Sequence, residues 1–344
     1  MDDEKLFDEW KGQGVSPRDA KRARKMVWRT RFSIAFSVLR TLFILLLIYC
    51  IYITAVSFFY DDSDENKLNR YLTTLVEMHH SGMQVEKTGF VHVDISPLLT
   101  QSTTRKLFQR VGKWNVVIGE VNAKKELFGR FQVRLDLDGK YLNQTPRYGY
   151  VVPPDLLGKG ETVLGSKSRK GSAWKRLDKI GDGYVAQMSF STKRGMTPEG
   201  LQQLLADYNL TLLQMPVYAG EVTAVEGIST VRTSGGKVFV PHLTLHPKTD
   251  YSEKNRLSSW QIGFNNKESV TKAVDSFMQD LNWLIQNGDY AWEKIDKKRL
   301  AYLQKHGVKV YGAVVTGPVS ELKKLKSEKA LYEFELGRVE LWNW

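Results

Sequence analysis

The chain has one cysteine, Cys50, among its 344 residues. This excludes an intrachain disulfide and a zinc site built on several cysteines. The mean hydropathy of −0.35 argues against a channel or transporter with many membrane spans. The rest of the composition, with 42% hydrophobic and 26% charged residues, is typical of a globular protein. The length predicts two or three compact units.

Catalytic motifs are also missing from the sequence. Neither Gly-x-Ser-x-Gly nor His-Glu-x-x-His occurs. The stretch 160–168 fails as a phosphate loop because Ser166 stands where lysine is required. Ser320 and Lys323 have the Ser-x-x-Lys spacing of certain acyl-serine enzymes, but helix capping explains Ser320 more simply. We therefore predict that the protein is not an enzyme and uses no cofactor.

Histidines are the remaining candidates for metal ligands. His242 and His246 would share one face of a strand and could bind a metal, yet no cysteine and no obvious carboxylate accompanies them. His79 and His80 are adjacent on a predicted helix, so their side chains point about 100° apart. We interpret the first pair as surface or packing residues, expect no chelation by the second pair, and predict no metal site.

Residues 41–60 read TLFILLLIYCIYITAVSFFY, a run of twenty residues without a charge. A helix of this length spans about 30 Å, which is the hydrocarbon thickness of a bilayer. Apolar side chains on every face of the run disfavour a buried core helix. A cleaved signal peptide is the alternative, since Ala55-Val56-Ser57 resembles a cleavage site, but the basic region before the run is too long. The sequence therefore predicts an uncleaved transmembrane helix.

The two flanks of this predicted helix differ in charge. Basic residues precede it and acidic residues follow it, namely Arg18, Lys21, Arg22, Arg24, Lys25, Arg29 and Arg31 against Asp61, Asp62, Asp64 and Glu65. The positive-inside rule then places residues 1–40 in the cytoplasm and residues 61–344 outside, so we predict a cell-membrane protein. The predicted membrane-interface residues are Arg29, Arg31, Arg40 and Tyr60.

The predicted cytoplasmic segment is short. Ser16-Pro17 is a helix-start signal, and no helix breaker follows before Asp61, so we expect one helix from Pro17 through the membrane. Ahead of it, residues 2–11 could form a small amphipathic helix, which is too short to be stable alone in water. The residues on its apolar face are Leu6, Phe7 and Trp10. Such a segment frays, or it folds into a partner's groove or onto the lipid headgroups, and we predict that these three side chains bind a partner.

Outside the membrane, the hydrophobic pattern predicts an α+β fold. Residues 66–86 are expected to be helical, and three stretches alternate like strands, namely 89–95, 114–119 and 129–135. These elements define a strand-rich membrane-proximal unit, residues 61–152. Residues 153–182 are rich in Gly, Lys and Ser and are interpreted as a linker or long loop. The residues of its basic patch, a possible polyanion contact, are Lys167, Arg169 and Lys170.

The C-terminal domain, residues 183–344, contains two similar predicted units. In each unit a strand leads to a helix that opens near a proline, and a second strand follows. The units cover residues 183–215 and 308–341, and two further helices are predicted between them, at 269–286 and 296–306. Two strand–helix–strand units of this size are typical of a ferredoxin-like, split βαβ core.

The formal net charge of +12 invites a nucleic-acid interpretation. Residues 1–60 contain ten basic and six acidic residues, and residues 61–344 contain 40 basic and 32 acidic residues. Membrane topology explains the first excess, and the second is spread as mixed pairs in the part predicted to lie outside. We therefore predict no direct nucleic-acid binding and expect membrane lipids as partners. The basic patch at 167–170 is interpreted as a solvated loop, with contact to anionic lipid heads or anionic wall polymer as the alternative.

Three stretches carry a family resemblance. The run 185–191 with Thr197-Pro198-Glu199, the C-terminal stretch VKVYGAVVTGPVSELKKLKSEKALYEFELGRVELWNW, and the basic stretch from Arg18 are similar to Gram-positive sigma-factor regulators. This family includes anti-sigma factors of the sigma-M type, and the resemblance covers roughly residues 18–344. It implies a membrane-anchored protein that restrains an extracytoplasmic-function sigma factor and releases it under envelope stress.

The predicted cytoplasmic part, of about forty residues, is shorter than the helical bundle of soluble anti-sigma domains. It also contains no His or Cys ligands for zinc before Cys50. The resemblance therefore implies that the sigma factor is bound by a peptide or a single helix, or beside a second membrane protein. The alternative function is that of an envelope scaffold or sensor that binds wall polymer, lipid or a membrane partner and has no role in transcription.

Overall fold

The computed structural model describes residues 17–60, 62–87, 93–127, 129–139, 148–158, 172–258 and 261–342. The chain divides into two compact units, Met1–Tyr60 and Asp61–Trp344. Two sets of predicted binding residues lie outside the described residues, namely Leu6, Phe7 and Trp10 and the basic patch Lys167, Arg169 and Lys170.

The first unit contains one long helix, α1 (Pro17–Phe59), of 43 residues. Within it, Arg24–Phe58 is long and apolar enough to cross a membrane, and none of its most apolar window is buried inside the protein. The side chains of Leu45, Leu46 and Ile51 are each more than half exposed. Large apolar side chains exposed on all faces are typical of a helix solvated by lipid. The structure therefore confirms one long apolar helix near the N-terminus.

The second unit begins with a helix and an antiparallel sheet. The elements are α2 (Asp62–His79), β1 (Gln84–Val85), β2 (Asp94–Ile95), β3 (Gln101–Val111), β4 (Trp114–Lys125) and β5 (Phe131–Leu137). The strand order is β1-β3-β4-β5, and β2 also pairs with β3. Each neighbouring pair is antiparallel. This sheet lies in the part of the chain for which the sequence predicts a strand-rich unit.

The remaining elements build a second antiparallel sheet and its covering helices. First come a 3-10 helix (Pro154–Leu156), α3 (Ser172–Leu177), β6 (Tyr184–Met196), α4 (Pro198–Leu205), β7 (Thr211–Tyr218), β8 (Val231–Arg232), β9 (Val238–Phe239) and β10 (Leu243–Leu245). Then follow α5 (Lys267–Asn287), α6 (Glu293–His306), β11 (Lys309–Pro318), α7 (Val319–Lys324), a second 3-10 helix (Leu325–Ser327) and β12 (Leu331–Leu341). The strand order is β10-β7-β11-β6-β12, and β8 pairs separately with β9. The predicted α+β class is confirmed.

The second sheet is shared by two strand–helix–strand units, β6-α4-β7 and β11-α7-β12. Along the sheet their strands alternate, because β11 lies between β7 and β6, and β12 lies on the other side of β6. Both units occur where the sequence predicts them, and the two helices between them, α5 and α6, do so as well.

Local signals in the sequence explain where two helices begin. The Thr197 hydroxyl accepts a hydrogen bond from the Gly200 N–H at 3.1 Å, and Pro198 occupies the first turn of α4. Helix α5 begins with a capping box, in which the side chains of Asn266 and Ser269 each accept from the other's backbone N–H. These contacts provide acceptors for amide groups that a helix leaves unpaired at its start.

One hydrophobic cluster connects both sheets with the helices that cover them. It includes Leu72 on α2, Ile118 on β4, Met188 on β6, Phe277 on α5 and Leu336 on β12, each at most 3% exposed. Helix α2 packs against β1, β4, β10 and α5. Since burial of apolar surface is the dominant stabilising term in folding, α2 is an integral part of this core.

Helix α2 is shorter than the sequence predicts. The predicted helix reaches Gly82 or beyond, whereas α2 ends at His79 and Gly82 has a φ of +83°. This backbone conformation is favourable for glycine and ends a right-handed helix. The chain then enters β1, which pairs with β3.

Strand β3 is not predicted from the sequence. Its residues alternate between buried and less buried positions, as in any strand with one covered face. However, four of the buried positions hold polar side chains, Gln101, Thr103, Arg105 and Gln109. The alternation of apolar and polar residues that identifies a strand is therefore absent from the sequence.

The stretch predicted as a linker, residues 153–182, has helical structure at both of its described ends. The first 3-10 helix and α3 lie there, and Leu156, Leu157, Ala173 and Leu177 are buried. These few apolar residues pack into the hydrophobic clusters of the second unit. The boundaries of the linker and of the domains on either side stay a prediction.

Gly312 in β11 provides a test of the packing between this strand and its neighbours. A Cβ atom there would lie 2.7 Å from Tyr150 Cδ1 and would also meet the Phe190 carbonyl oxygen. We expect Gly312→Ala to lower the free energy of unfolding by about 1–3 kcal/mol, as measured by chemical denaturation in detergent. Gly181→Ala is the matched control, because nothing lies within 4 Å of its Cβ position. Equal losses in both variants would contradict the steric argument.

Candidate functional site

Buried ionic side chains fix helix α2 in the second unit. The Arg70 guanidinium donates to Asp280 Oδ1 on α5 at 2.9 Å and lies over the rings of Tyr251, at 4.6 Å, and Trp283, at 4.1 Å. The side chain of Arg70 is 14% exposed and that of Asp280 is 4% exposed. A cation between aromatic faces that also pairs with a carboxylate is well compensated for its loss of water.

Glu77, two turns further along α2, makes the second ionic contact. Its Oε2 accepts from Lys87 Nζ at 2.8 Å, and its Oε1 accepts from the Val85 N–H at 3.0 Å. His246, considered above as a metal ligand, is buried with its Nδ1 3.8 Å from Glu77 Oε2. These contacts connect α2 to the first strand of the first sheet.

The carboxyl end of α2 makes the third and most extensive contact. His79 has Nδ1 2.9 Å from the Leu75 carbonyl oxygen and Nε2 2.9 Å from Asp296 Oδ2 on α6. The Tyr290 hydroxyl donates to the same carboxylate oxygen at 2.8 Å, and Arg299 Nη1 donates to Asp296 Oδ1 at 3.0 Å. Asp296 is fully buried. Three donors therefore replace the water that this carboxylate has lost.

Arg299 extends this network to the end of β7. Its Nη2 donates to the Pro241 carbonyl oxygen, and its Nε lies 3.3 Å from Glu221 Oε1. Glu221 Oε2 accepts from the Ala219 N–H at 2.7 Å. Among the described residues, neither Arg299 Nε nor Glu221 Oε1 has a hydrogen-bond partner. The two groups attract each other as an ion pair, but their geometry leaves the Nε–H without an aligned acceptor.

The environment shifts the pKa values of the network in different directions. Burial raises the pKa of Glu221 to about 7, although the charge of Arg299 opposes this shift. Burial also acts to raise the pKa of Asp296, but the hydrogen bond and charge of His79, together with Arg299, outweigh it and lower that pKa. Burial lowers the pKa of His242 to about 4. At neutral pH Asp296 is therefore ionised, His242 is neutral, and Glu221 is divided between its two forms.

A cavity of about 260 Å³ adjoins this network. Its walls include His79, Ile228, Pro241, Trp292, Ile295 and Arg299. The rings of Trp292 and His79 have their centroids 4.5 Å apart, and Trp292 is 40% exposed. His242 also lines the cavity, and its Nε2 is 3.0 Å from the Ser81 hydroxyl. The cavity thus combines an apolar, aromatic surface with a guanidinium and two imidazoles.

The sequence does not predict this cluster. The sequence analysis considers His79 and His242 only as metal ligands. Their partners belong to no local motif, namely Asp296, Arg299 and Glu221. His79 and Asp296 are 217 residues apart in the chain. The available signal was weak, namely that Asp296 and Arg299 occupy the face of α6 that also carries its buried leucines.

The predicted membrane-interface residues lie on α1 or directly after it. Arg29, Arg31 and Arg40 are exposed on the helix, and the Tyr60 N–H donates to the Val56 carbonyl oxygen at 2.8 Å. Their position relative to a bilayer stays a prediction.

The network predicts a large effect of removing its central carboxylate. We expect Asp296→Ala to lower the free energy of unfolding by about 3–5 kcal/mol, because Arg299 then loses a buried counter-charge. Chemical denaturation of the full chain in detergent measures this change. Glu268→Ala is the control, since its ion pair with Lys272 is exposed, and we expect little change there. A small effect of Asp296→Ala would show that the network does not hold α2 and α6 together.

The raised pKa of Glu221 predicts a pH dependence of stability. The folded state holds this proton more tightly than the unfolded state, whose pKa is near 4.5. The resulting stabilisation is complete below about pH 4.5 and is lost as the pH rises through about 7. Glu221→Gln cannot ionise at this position. The Tm of the variant minus that of the wild type should therefore increase by about 2–6 °C from pH 5 to pH 8. Differential scanning fluorimetry measures this difference.

Glu226→Gln is the matched control for this experiment, because Glu226 lies in the same loop and its side chain is 96% exposed. Its Tm should follow that of the wild type at every pH. Parallel Tm curves for Glu221→Gln and the wild type would show that Glu221 does not titrate in this range.

The C-terminal part of the chain is similar to a known protein family. Residues 177–338 match the family described as sigma factor regulator C-terminal. The chain is also similar to the probable anti-sigma-M factor YhdL of Bacillus subtilis (strain 168), with 31% identity over 113 residues. That alignment covers 28% of this chain and 31% of the relative, so the chain matches about a third of the relative's length. No solved structure matches. Residues 177–338, which run from the end of α3 into β12, are therefore similar to the C-terminal domain of sigma factor regulators.

Proposed function

We propose that this protein is a single-pass membrane regulator that restrains an extracytoplasmic-function sigma factor through its cytoplasmic N-terminal segment. The observation that carries the proposal is the match of residues 177–338 to the sigma factor regulator C-terminal family. The similarity to a probable anti-sigma-M factor supports the anti-sigma direction of regulation. Helix α1 supports the membrane anchor, because Arg24–Phe58 is long and apolar enough to span a bilayer.

The charges on either side of the anchor support the orientation. Residues 18–31 hold seven basic residues and one acidic residue, and residues 61–65 hold four acidic residues. By the positive-inside rule, the N-terminal segment lies in the cytoplasm and residues 61–344 lie on the extracytoplasmic side of the cell membrane. A sigma factor is a cytoplasmic partner, so its contact belongs to residues 1–40, alone or beside a second membrane protein.

The proposed contact with the sigma factor is the apolar face formed by Leu6, Phe7 and Trp10. Aromatic and aliphatic anchors of this kind dominate the free energy of many interfaces. The acidic side chains around them, Asp2, Asp3, Glu4, Asp8 and Glu9, suit a partner with a basic surface. These residues lie outside those that the structure describes, so the assignment rests on the sequence.

We further infer that the second sheet is a ferredoxin-like one with β10 added at its edge. The alternation of strands from β6-α4-β7 and β11-α7-β12 supports this inference. In the proposed protein this domain receives an envelope-stress signal, and α2 connects it to the anchor. Only two residues separate the end of α1 from the start of α2.

Expression of the sigma factor's target genes tests the proposal. We expect Leu6→Ala, Phe7→Ala and Trp10→Ala, combined in the full chain, to raise transcription of one sigma regulon at least tenfold, because the partner is released. Transcript sequencing measures this, and immunoblotting of membranes shows whether the variant is still present. The control combines Lys11→Ala and Gln13→Ala, which lie close by but off the apolar face.

An unchanged transcriptome, both in the triple variant and after deletion of the gene, would overturn the anti-sigma function. Salt-sensitive binding of wall polymer by the same chain would then support the envelope-scaffold function. Induction after gene deletion but not in the triple variant would overturn only the assignment of Leu6, Phe7 and Trp10.

A further inference from the structure

Strand β5 forms an open edge of the first sheet. Among the described residues it pairs with β4 alone, in an unshifted register from Phe131 to Leu137. Its sequence, FQVRLDL, contains no proline, glycine or lysine. Proteins commonly use these residues, or bulges, to stop a long sheet edge from pairing with another strand. The long edge strand of the second sheet, β12, has two irregularities in its register and a positive φ at Glu333. Strand β5 has no such feature.

One hydrogen bond shows which backbone groups of β5 point away from β4. The Asp138 N–H donates to the carbonyl oxygen of Ile118, the last buried residue of β4 before Gly119, at 2.9 Å. Because the backbone groups of a strand alternate between its two sides, even-numbered residues of β5 bond to β4 and odd-numbered residues point to the open edge. The Phe131 N–H agrees with this, since it donates to the Asp289 carbonyl oxygen at 3.3 Å. In the part of the chain that the structure describes, the backbone groups of three residues then lie unpaired at the edge. We call these the open-edge residues, Val133, Leu135 and Leu137.

The side chains of the open-edge residues are apolar and only partly buried. They lie against the hydrophobic cluster of the second unit, at its margin. A strand added along this edge would pair their N–H and C=O groups and cover the apolar surface that they still expose. Both changes favour the addition of a strand.

The outer face of β5 carries a charge pattern that is complementary to itself. Arg134 and Asp136 are exposed there, with side chains 81% and 45% accessible, and no other charged residue lies within the strand. When two copies of β5 pair antiparallel about residue 135, Arg134 of each copy lies directly opposite Asp136 of the other. Opposite charges at such positions stabilise a pair of strands.

The neighbouring registers lack this complementarity. Pairing centred on residue 134 places two arginines opposite each other, and pairing centred on residue 136 does the same with two aspartates. Like charges in these positions destabilise a strand pair. Pairing centred on residue 133 places Leu135 opposite Phe131, whose N–H already donates to Asp289. The register centred on residue 135 avoids all three conflicts.

We propose that β5 is the interface of a symmetric dimer, in which the β5 strands of two copies pair antiparallel about Leu135 and join their first sheets into one. Leu135 then lies opposite its own copy, and Val133 lies opposite Leu137. Every N–H and C=O group of the open-edge residues has a partner in this arrangement. The interface does not involve the proposed sigma-factor contact, so the two can be tested independently.

Charge reversal tests both the interface and its register. The experiment measures the dimer dissociation constant of the full chain in detergent by analytical ultracentrifugation. We expect Arg134→Glu and Asp136→Arg each to raise this constant about tenfold or more, because two attractive pairs become repulsive. The double variant, Arg134→Glu with Asp136→Arg, restores opposite charges and should bind within about threefold of the wild type. Both side chains are exposed, so the fold tolerates these changes.

Lys106→Glu is the matched control, because Lys106 is also exposed but lies on β3, which β4 separates from β5. Its dissociation constant should equal that of the wild type. A wild-type chain that stays monomeric, or a dimer that both single variants leave intact, would overturn the proposal. Weakening in the single variants without recovery in the double variant would overturn the register.

Hydrogen–deuterium exchange, resolved to single residues, tests the strand pairing itself. We expect the amides of the open-edge residues to exchange more slowly in the wild-type dimer than in the dissociated Arg134→Glu variant. The amides of Gln132 and Asp136 point to β4 and should exchange equally in both, which makes them the internal control. Equal exchange of the open-edge amides in the two proteins would show that β5 is not the dimer interface.

Discussion

The second unit depends on the buried carboxylate of Asp296. A carboxylate removed from water costs several kcal/mol unless donors replace the lost hydration. Here the donors come from three parts of the chain, His79 at the end of α2, Tyr290 in the α5–α6 connection, and Arg299 on α6. The loss of one donor would leave the charge poorly compensated, so these three parts are held in one arrangement. Apolar packing around Leu72 and Phe277 can tolerate small sliding movements, whereas hydrogen bonds of 2.8–3.0 Å cannot.

The same carboxylate determines the character of the cavity beside it. Asp296 draws His79 and Arg299 together, and both side chains line a cavity that is also walled by Trp292 and Ile295. Glu221 lies beside Arg299, and burial keeps it partly protonated near neutral pH. One buried carboxylate therefore fixes the helices and also brings a guanidinium and an imidazole to the wall of the cavity.

Local signals in the sequence predict much of the second sheet, because each of its elements has a helix-start signal or an apolar run within a few residues. Thr197-Pro198 predicts the start of α4, and the apolar runs of β6, β7 and β11 predict buried strands. Strand β3 is not predicted, because its covered face holds the polar residues Arg105 and Gln109. Their burial depends on residues that are distant in the sequence. The sequence does not predict the candidate site either, because its side chains depend even more on distant partners. His79 and Asp296 are 217 residues apart, so their contact produces no periodic pattern in the sequence. Sequence patterns report local exposure, and ionic clusters depend on tertiary contacts.

Helix α2 is held to the rest of the second unit by side chains along its whole length. Helix α2 cannot turn within its own unit without breaking the contacts of Arg70, Glu77 and His79. A change that displaces α2 must therefore break at least one of these contacts. His79 belongs both to the last turn of α2 and to the wall of the cavity, so a change in that wall acts directly on α2.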